Sequence, residues 1–273
     1  MRALLAERSF QHIDLDPYGS PAPFLDLAFA NLGRRAGVSF TATDAAALCG
    51  ASPRACERRY GAKPTRTEEL CHEAALRILL AHAVREAAKH DQAAHPVLAH
   101  SREHYFRCYV ETRRSAQQAD ALLKRIEWLV ECDACFHRGF APERERVCPA
   151  CGAPAKASGP MWSGPLFDAA LLQAMTKAAE GRTLARAQAV GRELAIWQEE
   201  AATGGLPYAS HRLAEHAQLA EIAPLEGLLA ALRAQGHGAA RCHLDGRSLR
   251  TPAPARDVLA ACKAAAERPW PSP

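Results

Sequence analysis

No run of 18 or more apolar residues interrupts this chain, so no stretch is long enough to cross a bilayer as a helix. Residues 1–7 lack the long apolar core of a signal peptide. No internal repeat is present. Charge of one sign is not in great excess. A formal net charge of +4 and a pI near 8.6 permit a nucleic-acid partner without demanding one. Lysines are few and arginines many, which is compatible with forked phosphate contacts and equally with an Ala- and Arg-rich genomic composition. What is there is ordinary for a folded protein: 273 residues, 48% hydrophobic and 23% charged, enough for two domains. Ten cysteines without an export signal point to reduced thiols or metal ligands and hence to the cytoplasm.

The first 110 residues alternate strand and helix signals. Residues 10–15 and 37–42 read as strands and residues 21–32 as a helix. Thr67 is placed to cap a long helix with Glu68 and Glu69 in its first turn, and Ala75, Leu76, Leu79, Leu80, Ala83, Val84 and Ala87 fall on one stripe of it. Residues 104–112 and 126–130 read as further strands, giving an open α/β sheet. Residues 159–165, dense in Gly and Pro, read as a break. From Leu166 the chain is mainly helical. A Pro224-opened helix ends at Gly236, extended pieces flank residues 241–251, and a last helix starts near Pro254 before a frayed tail at 268–273.

Cys132-x-x-Cys135 and Cys148-x-x-Cys151 are spaced as two knuckles, with Gly139 and Gly152 allowing tight turns. Four thiolates so placed can surround one tetrahedral Zn²⁺ and leave no open position, the mark of a structural site. His137 is a possible substitute ligand, though a solvated loop histidine is the plainer reading. Cys49, Cys56, Cys71, Cys108, Cys242 and Cys262 have no metal spacing. Cys49 and Cys108, beside apolar runs, read as small core residues, and none of the six has a local base that would make it a nucleophile.

Asp14-Leu-Asp16-Pro17-Tyr18-Gly19 follows the first apolar strand. By itself Asp-Pro-Tyr-Gly is a good turn sequence. In this setting it also suits a planar amino group: the acid and the proline carbonyl accept from the NH₂ while the ring stacks on the base. Thr41-Ala-Thr43-Asp44 closes the next strand, so both clusters lie at carboxyl ends of neighbouring strands, where open α/β sheets bind ligands.

From about Phe10 to about Pro254 the chain resembles the tRNA guanine-26 N2-dimethyltransferases. The carrying segments are Asp14-x-Asp16-Pro-Tyr-Gly-Ser-Pro-Ala-Pro-Phe24-x-Asp26, Thr41-Ala-Thr-Asp44, Leu48-Cys-Gly50, Arg58-Arg-Tyr-Gly61 and Cys71-x-Glu-x-Ala-Leu-Arg-Ile-Leu79. Ser101-x-x-His-Tyr-x-Arg107, the paired knuckles, Gly159-Pro-x-Trp-x-Gly164, Arg241-x-His243 and Arg250-Thr-x-Ala-Pro254 continue the order.

The resemblance implies an S-adenosylmethionine-dependent enzyme that methylates the exocyclic N2 of a tRNA guanine. Asp16 would accept the N2 proton, Pro17 would orient the amino group and Tyr18, where the family usually has phenylalanine, would stack on the flipped base. Asp14, Thr43 and Asp44 would line the pocket. The implied fold is a partial class I (Rossmann-like) methyltransferase sheet over residues 1–165, with the zinc knuckle at about 128–155, followed by a mainly helical α+β tRNA-binding domain at 166–273. Arg233, Arg241, Arg247 and Arg250 are its candidate phosphate contacts.

The family's amino-terminal strands and glycine-containing donor loop have no counterpart here. Three expectations follow: a start codon called too far downstream, a separate partner chain that supplies the missing strands, or a decayed copy. The competing class is a non-catalytic zinc-containing RNA-binding protein, which leaves Asp14 to Tyr18 unexplained. A protein-interaction scaffold has only an exposed sheet edge in its favour.

Overall fold

The computed structural model describes residues 9–267; the tail at 268–273 lies outside them. The chain divides into two compact units. The first takes in residues up to Leu129 with Phe140–Glu145 and Ala157–Leu166. The second takes in Val130–Gly139, Arg146–Lys156 and the chain from Phe167.

The first unit is built on β1 (Phe10–Leu15), α1 (Ala22–Ala30), β2 (Leu32–Ala42), α2 (Ala45–Leu48), α3 (Pro53–Tyr60), α4 (Cys71–Ala88), β3 (Gln92–Arg102), β4 (Tyr105–Arg114) and α5 (Ala116–Leu123). β1 and β2 are parallel and joined through α1, the crossover that parallel pairing requires. β4 then adds antiparallel to β2, and β3 antiparallel to β4, for the order β1-β2-β4-β3. Side chains alternate across this sheet. Leu15, Val38, Phe40, Ala42, Phe106, Cys108 and Val110 are buried on one face, where α4 packs on β3 and β4 and α1 packs on β2. Asp14, Ser39, Thr41, Arg107 and Tyr109 occupy the other.

Three sequence expectations change here. β3 was not foreseen, because Pro96 removes a ladder donor. Its strand tolerates that loss by lying at a sheet edge with a register shift at Pro96/Leu98. Thr67 does not cap by its side chain; a 3₁₀ turn (Glu68–Leu70) leads into α4 instead. α4 is buried on nearly all sides, not on one stripe, and its Glu73 and Arg77 are buried with it. Arg77 Nη2 lies 2.7 Å from Glu73 Oε1, and its Nη1 donates to the Trp162 and Gly164 carbonyls, both at 2.8 Å.

β5 (Ile126–Glu131), β6 (Arg138–Ala141) and β7 (Lys156–Trp162) form a three-stranded sheet in the order β6-β5-β7. The expected break at 159–165 is thus in large part a strand. Reciprocal 2.7 Å backbone hydrogen bonds between Lys63 and Gly159 hold it to the loop before α4.

The second unit adds α6 (Ala169–Glu180), α7 (Ala187–Thr203), β8 (Leu206–Ala209), α8 (Ser210–His216), α9 (Leu225–Ala234), β9 (Ala240–Arg241), β10 (Ser248–Thr251) and α10 (Ala255–Glu267). β8, β10 and β9 form an antiparallel sheet. Tyr208, Leu213, Leu228, Leu229, Leu232, Leu249, Val258 and Cys262 form its core.

The two cysteine hairpins group with this unit, whereas the sequence placed them with the first. Phe136 accounts for the difference: its ring lies 6.0 Å from Tyr208 and 4.9 Å from His216.

Candidate active site and metal centre

β1 ends at Leu15 and β2 at Ala42, and the parallel pairing brings both carboxyl ends side by side. Gly19, at φ +80, turns the chain back. Its amide donates to Thr43 Oγ1 and its carbonyl accepts from the Thr43 amide, both at 2.8 Å. Residues 16–18 are thereby pinned at the end of the sheet, and Tyr18 projects wholly into solvent. Thr43, expected to line the pocket, serves as this clamp.

The three acids of the site are in different states. Asp14 accepts from Ser39 Oγ at 2.7 Å and from Arg107 Nη2 at 2.9 Å. Partial burial raises its pKa, but the Ser39 hydroxyl and the Arg107 guanidinium outweigh that and hold it below the usual carboxylate range. Arg107 is itself fixed by Thr41 Oγ1 at 2.6 Å and the Tyr109 hydroxyl at 2.8 Å.

Asp44 is only 8% exposed. It accepts from the Tyr60 hydroxyl at 2.9 Å and from Arg59 Nη1 at 3.0 Å. Tyr60 O–H is committed to Asp44, so at 2.6 Å Ser20 Oγ–H must donate to Tyr60. Burial first, opposed by the Ser20 bond and reinforced by the Asp44 charge, pushes the Tyr60 phenol well above its ordinary value. This chain ties the start of α1 to the end of β2.

Asp16 alone is exposed with no hydrogen-bond partner among the described residues. An acid with open acceptor sites beside an open ring is the arrangement a planar amino group needs. Tyr60, Ser20 and Arg107 lie in quoted motifs but were given no role from sequence, because their partners are 16 to 93 positions away.

Cys132, Cys135, Cys148 and Cys151 place their Sγ atoms within 4.8 Å of one another. Two of the separations, Cys132–Cys151 and Cys135–Cys148, are 3.6 Å. That is too long for a disulfide at about 2.05 Å, and it is close to the edge of about 3.8 Å of a tetrahedron with Zn–S near 2.3 Å. The donor set therefore fits a zinc ion. Matching backbone bonds close the two hairpins: Cys132 N to His137 O at 3.0 Å and Cys148 N to Ala153 O at 2.8 Å.

The residue after the second cysteine of each hairpin is left-handed, Gly152 at φ +75 and Phe136 at φ +62. Gly139, expected in that role, is not. A left-handed Phe costs about 1–3 kcal/mol, and its contacts with Tyr208, His216 and Arg138 offset this. His137 is outside the cluster.

The arginines expected at phosphate separate. Arg250 is 3% exposed. It donates from Nε to Glu200 Oε2 at 2.7 Å and from Nη1 to the Gly205 carbonyl at 2.8 Å, which corrects its assignment to RNA. Glu200 also accepts from His243 Nδ1 at 2.8 Å and from the His243 amide. Arg233 is exposed but donates to the Ala239 carbonyl at 2.8 Å. Arg241 is exposed and paired with Glu226. Arg247 is exposed beside Asp245 at 3.4 Å.

A family model for N2,N2-dimethylguanosine tRNA methyltransferase matches residues 1–263. A tRNA (guanine(26)-N(2))-dimethyltransferase of Pyrococcus horikoshii is 38% identical over 92% of this chain and 64% of its own length. One of Methanoculleus marisnigri is 37% identical over 92% of this chain and 67% of its own. The chain thus spans just under two thirds of the Pyrococcus protein. Among solved structures, Trm1 from Pyrococcus horikoshii in complex with S-adenosyl-L-methionine superposes with a TM-score of 0.83 at 35% identity. The match covers 95% of this chain and 68% of that one.

Proposed function

The chain belongs to the N2,N2-dimethylguanosine tRNA methyltransferase family, and on that premise we propose that it carries the base-holding half of an enzyme that methylates the exocyclic N2 of guanine 26 in tRNA. The observation that carries this is the Asp16-Pro17-Tyr18 loop, pinned to Thr43 at the carboxyl ends of two parallel strands with its acid unbonded among the described residues and its ring in solvent. S-adenosylmethionine, bound to the Pyrococcus structure, would supply the electrophilic methyl. Asp16 accepts the N2 proton, the Pro17 carbonyl holds the second N–H, and Tyr18 stacks on the flipped base.

Asp14 and Asp44 act through their neighbours and keep the two strand ends in place. The parallel β1-α1-β2 unit with antiparallel β4 and β3 is read as part of a Rossmann-like methyltransferase sheet, with further strands added beside β1, an edge strand among the described residues, from the same or a separate chain. The four cysteines hold a structural zinc, and the second unit binds tRNA with Arg233, Arg241 and Arg247 as phosphate contacts. The reading includes a cytoplasmic location, supported by ten cysteines of the kind a reducing compartment keeps as thiols or metal ligands.

Asp16→Ala tests the reading. Turnover should be lost while tRNA affinity is kept, and a variant that keeps turnover would remove Asp16 from its role. A purely RNA-binding protein would leave the exposed loop with nothing to do.

A further inference from the structure

Cys49 follows α2 and Cys71 opens α4, 22 positions apart in sequence with no spacing signature. The fold brings their Sγ atoms within 4.8 Å of each other, with a His72 ring nitrogen in the same cluster. Neither is sealed in the core: both are partly exposed, in contrast to Cys56, Cys108 and Cys262. Cys49, expected as a core residue, is therefore not one. The pair stands one short helix away from Asp44, whose carboxylate anchors the end of β2.

We propose that Cys49 and Cys71 are a redox-modifiable thiol pair that hydrogen peroxide closes into a disulfide, tethering the end of α2 to the start of α4 beside the Thr43–Asp44 turn. The two thiols are unequal. A hydrogen bond from Cys49, then the His72 amide at the helix start, hold Cys71 below the ordinary thiol value against the effect of burial. The same bond first, then burial, push Cys49 up.

Cys71 thiolate is thus the nucleophile. Its sulfur attacks a peroxide oxygen, the O–O bond breaks, and hydroxide leaves and takes up a proton to give water and a sulfenic acid. Cys49 sulfur then attacks the Cys71 sulfur, the S–O bond breaks, and hydroxide departs with the Cys49 proton as a second water. Two thiols lose two electrons and one peroxide gains them.

The test is residue-level mass spectrometry of the full chain after hydrogen peroxide, with non-reducing digestion and alkylation of the remaining thiols. The expected result is a Cys49–Cys71 cross-linked peptide lighter by two hydrogens, reversed by dithiothreitol, while Cys56, Cys108 and Cys262 stay alkylatable after unfolding. In Cys49→Ser the expected product is a Cys71 sulfenic acid trapped by dimedone. Reduced Cys49 and Cys71 after treatment, or a Cys49→Ser protein that dimedone does not label at Cys71, would overturn the proposal. So would protection of both thiols from alkylation that a chelator removes, which would instead reveal a metal site with His72. The readout does not depend on methyl transfer, so its outcome is independent of the proposed activity.

Discussion

Each unit carries an acid held by an arginine, and the two are set in different surroundings. In the second unit Glu200 is fully buried and both its oxygens are occupied, by Arg250, His243 Nδ1 and the His243 amide. In the first, Asp14 meets Arg107 on a sheet face with half its side chain in solvent, two residues before an acid that has no hydrogen-bond partner among the described residues. A buried acid must be satisfied or it costs several kcal/mol, so its partners reveal structure. An exposed acid left unsatisfied on a pinned loop costs nothing to keep and is available to a ligand. On the proposed reading both arginine-held acids are architectural, and the chemistry falls to the exposed Asp16 that the Asp14 pair precedes.

The largest effect that would break this comparison concerns the metal centre. In zinc-finger peptides structural zinc contributes about 10–16 kcal/mol, as much as a typical whole domain's stability. Cys148→Ser should abolish stoichiometric zinc, measured by elemental analysis, and expose the second unit to limited proteolysis. Full protease resistance without zinc would contradict the site.

Next, Asp16→Asn keeps the shape and removes the base, and should lower kcat by about 10²–10⁴-fold with tRNA Kd unchanged. Glu200→Ala removes the carboxylate that balances the buried Arg250 charge and should cost about 3–5 kcal/mol in denaturant unfolding. A change under about 1 kcal/mol would show that the cluster is not the anchor it looks to be.

Glu200 also sets a pH dependence. Burial raises its pKa, but Arg250 and His243 outweigh burial and hold the carboxyl below its usual value. Its contribution is therefore present above the unfolded value of about 4.3 and is lost as pH falls through the lower folded value. Glu200→Gln should flatten the acid limb of the stability curve below about pH 4.

Smaller effects sharpen the open site. Tyr18→Phe should be near neutral, and Tyr18→Ala should weaken binding by about 1–3 kcal/mol for one lost stack. Arg241→Ala, a rim cation, should reduce the salt slope of tRNA binding by about 1.

Much of the site was legible because its signals are local. Asp14 to Phe24 marked the strand end and its loop, and the two Cys-x-x-Cys pairs marked the cluster of four thiols. β1, α1, α9 and α10 were readable from periodicity and Pro punctuation. Features that depend on distant partners were not. Arg250 read as a free cation until Glu200, 50 positions earlier, was seen to receive it. β3 was hidden by Pro96, which only an edge position makes harmless. Phe136 took a left-handed turn that the sequence assigned to Gly139, because packing decided the matter. Cys49 looked apolar because its partner Cys71 lies beyond α3.

The most direct test of the central claim is transfer of labelled methyl from S-adenosylmethionine to unmodified tRNA. It should be run with the chain alone and with a family amino-terminal half added, against a tRNA in which guanine 26 is adenine. The account predicts label on the guanine tRNA only, lost in Asp16→Asn. Label on the adenine tRNA, or none under either condition, would contradict it.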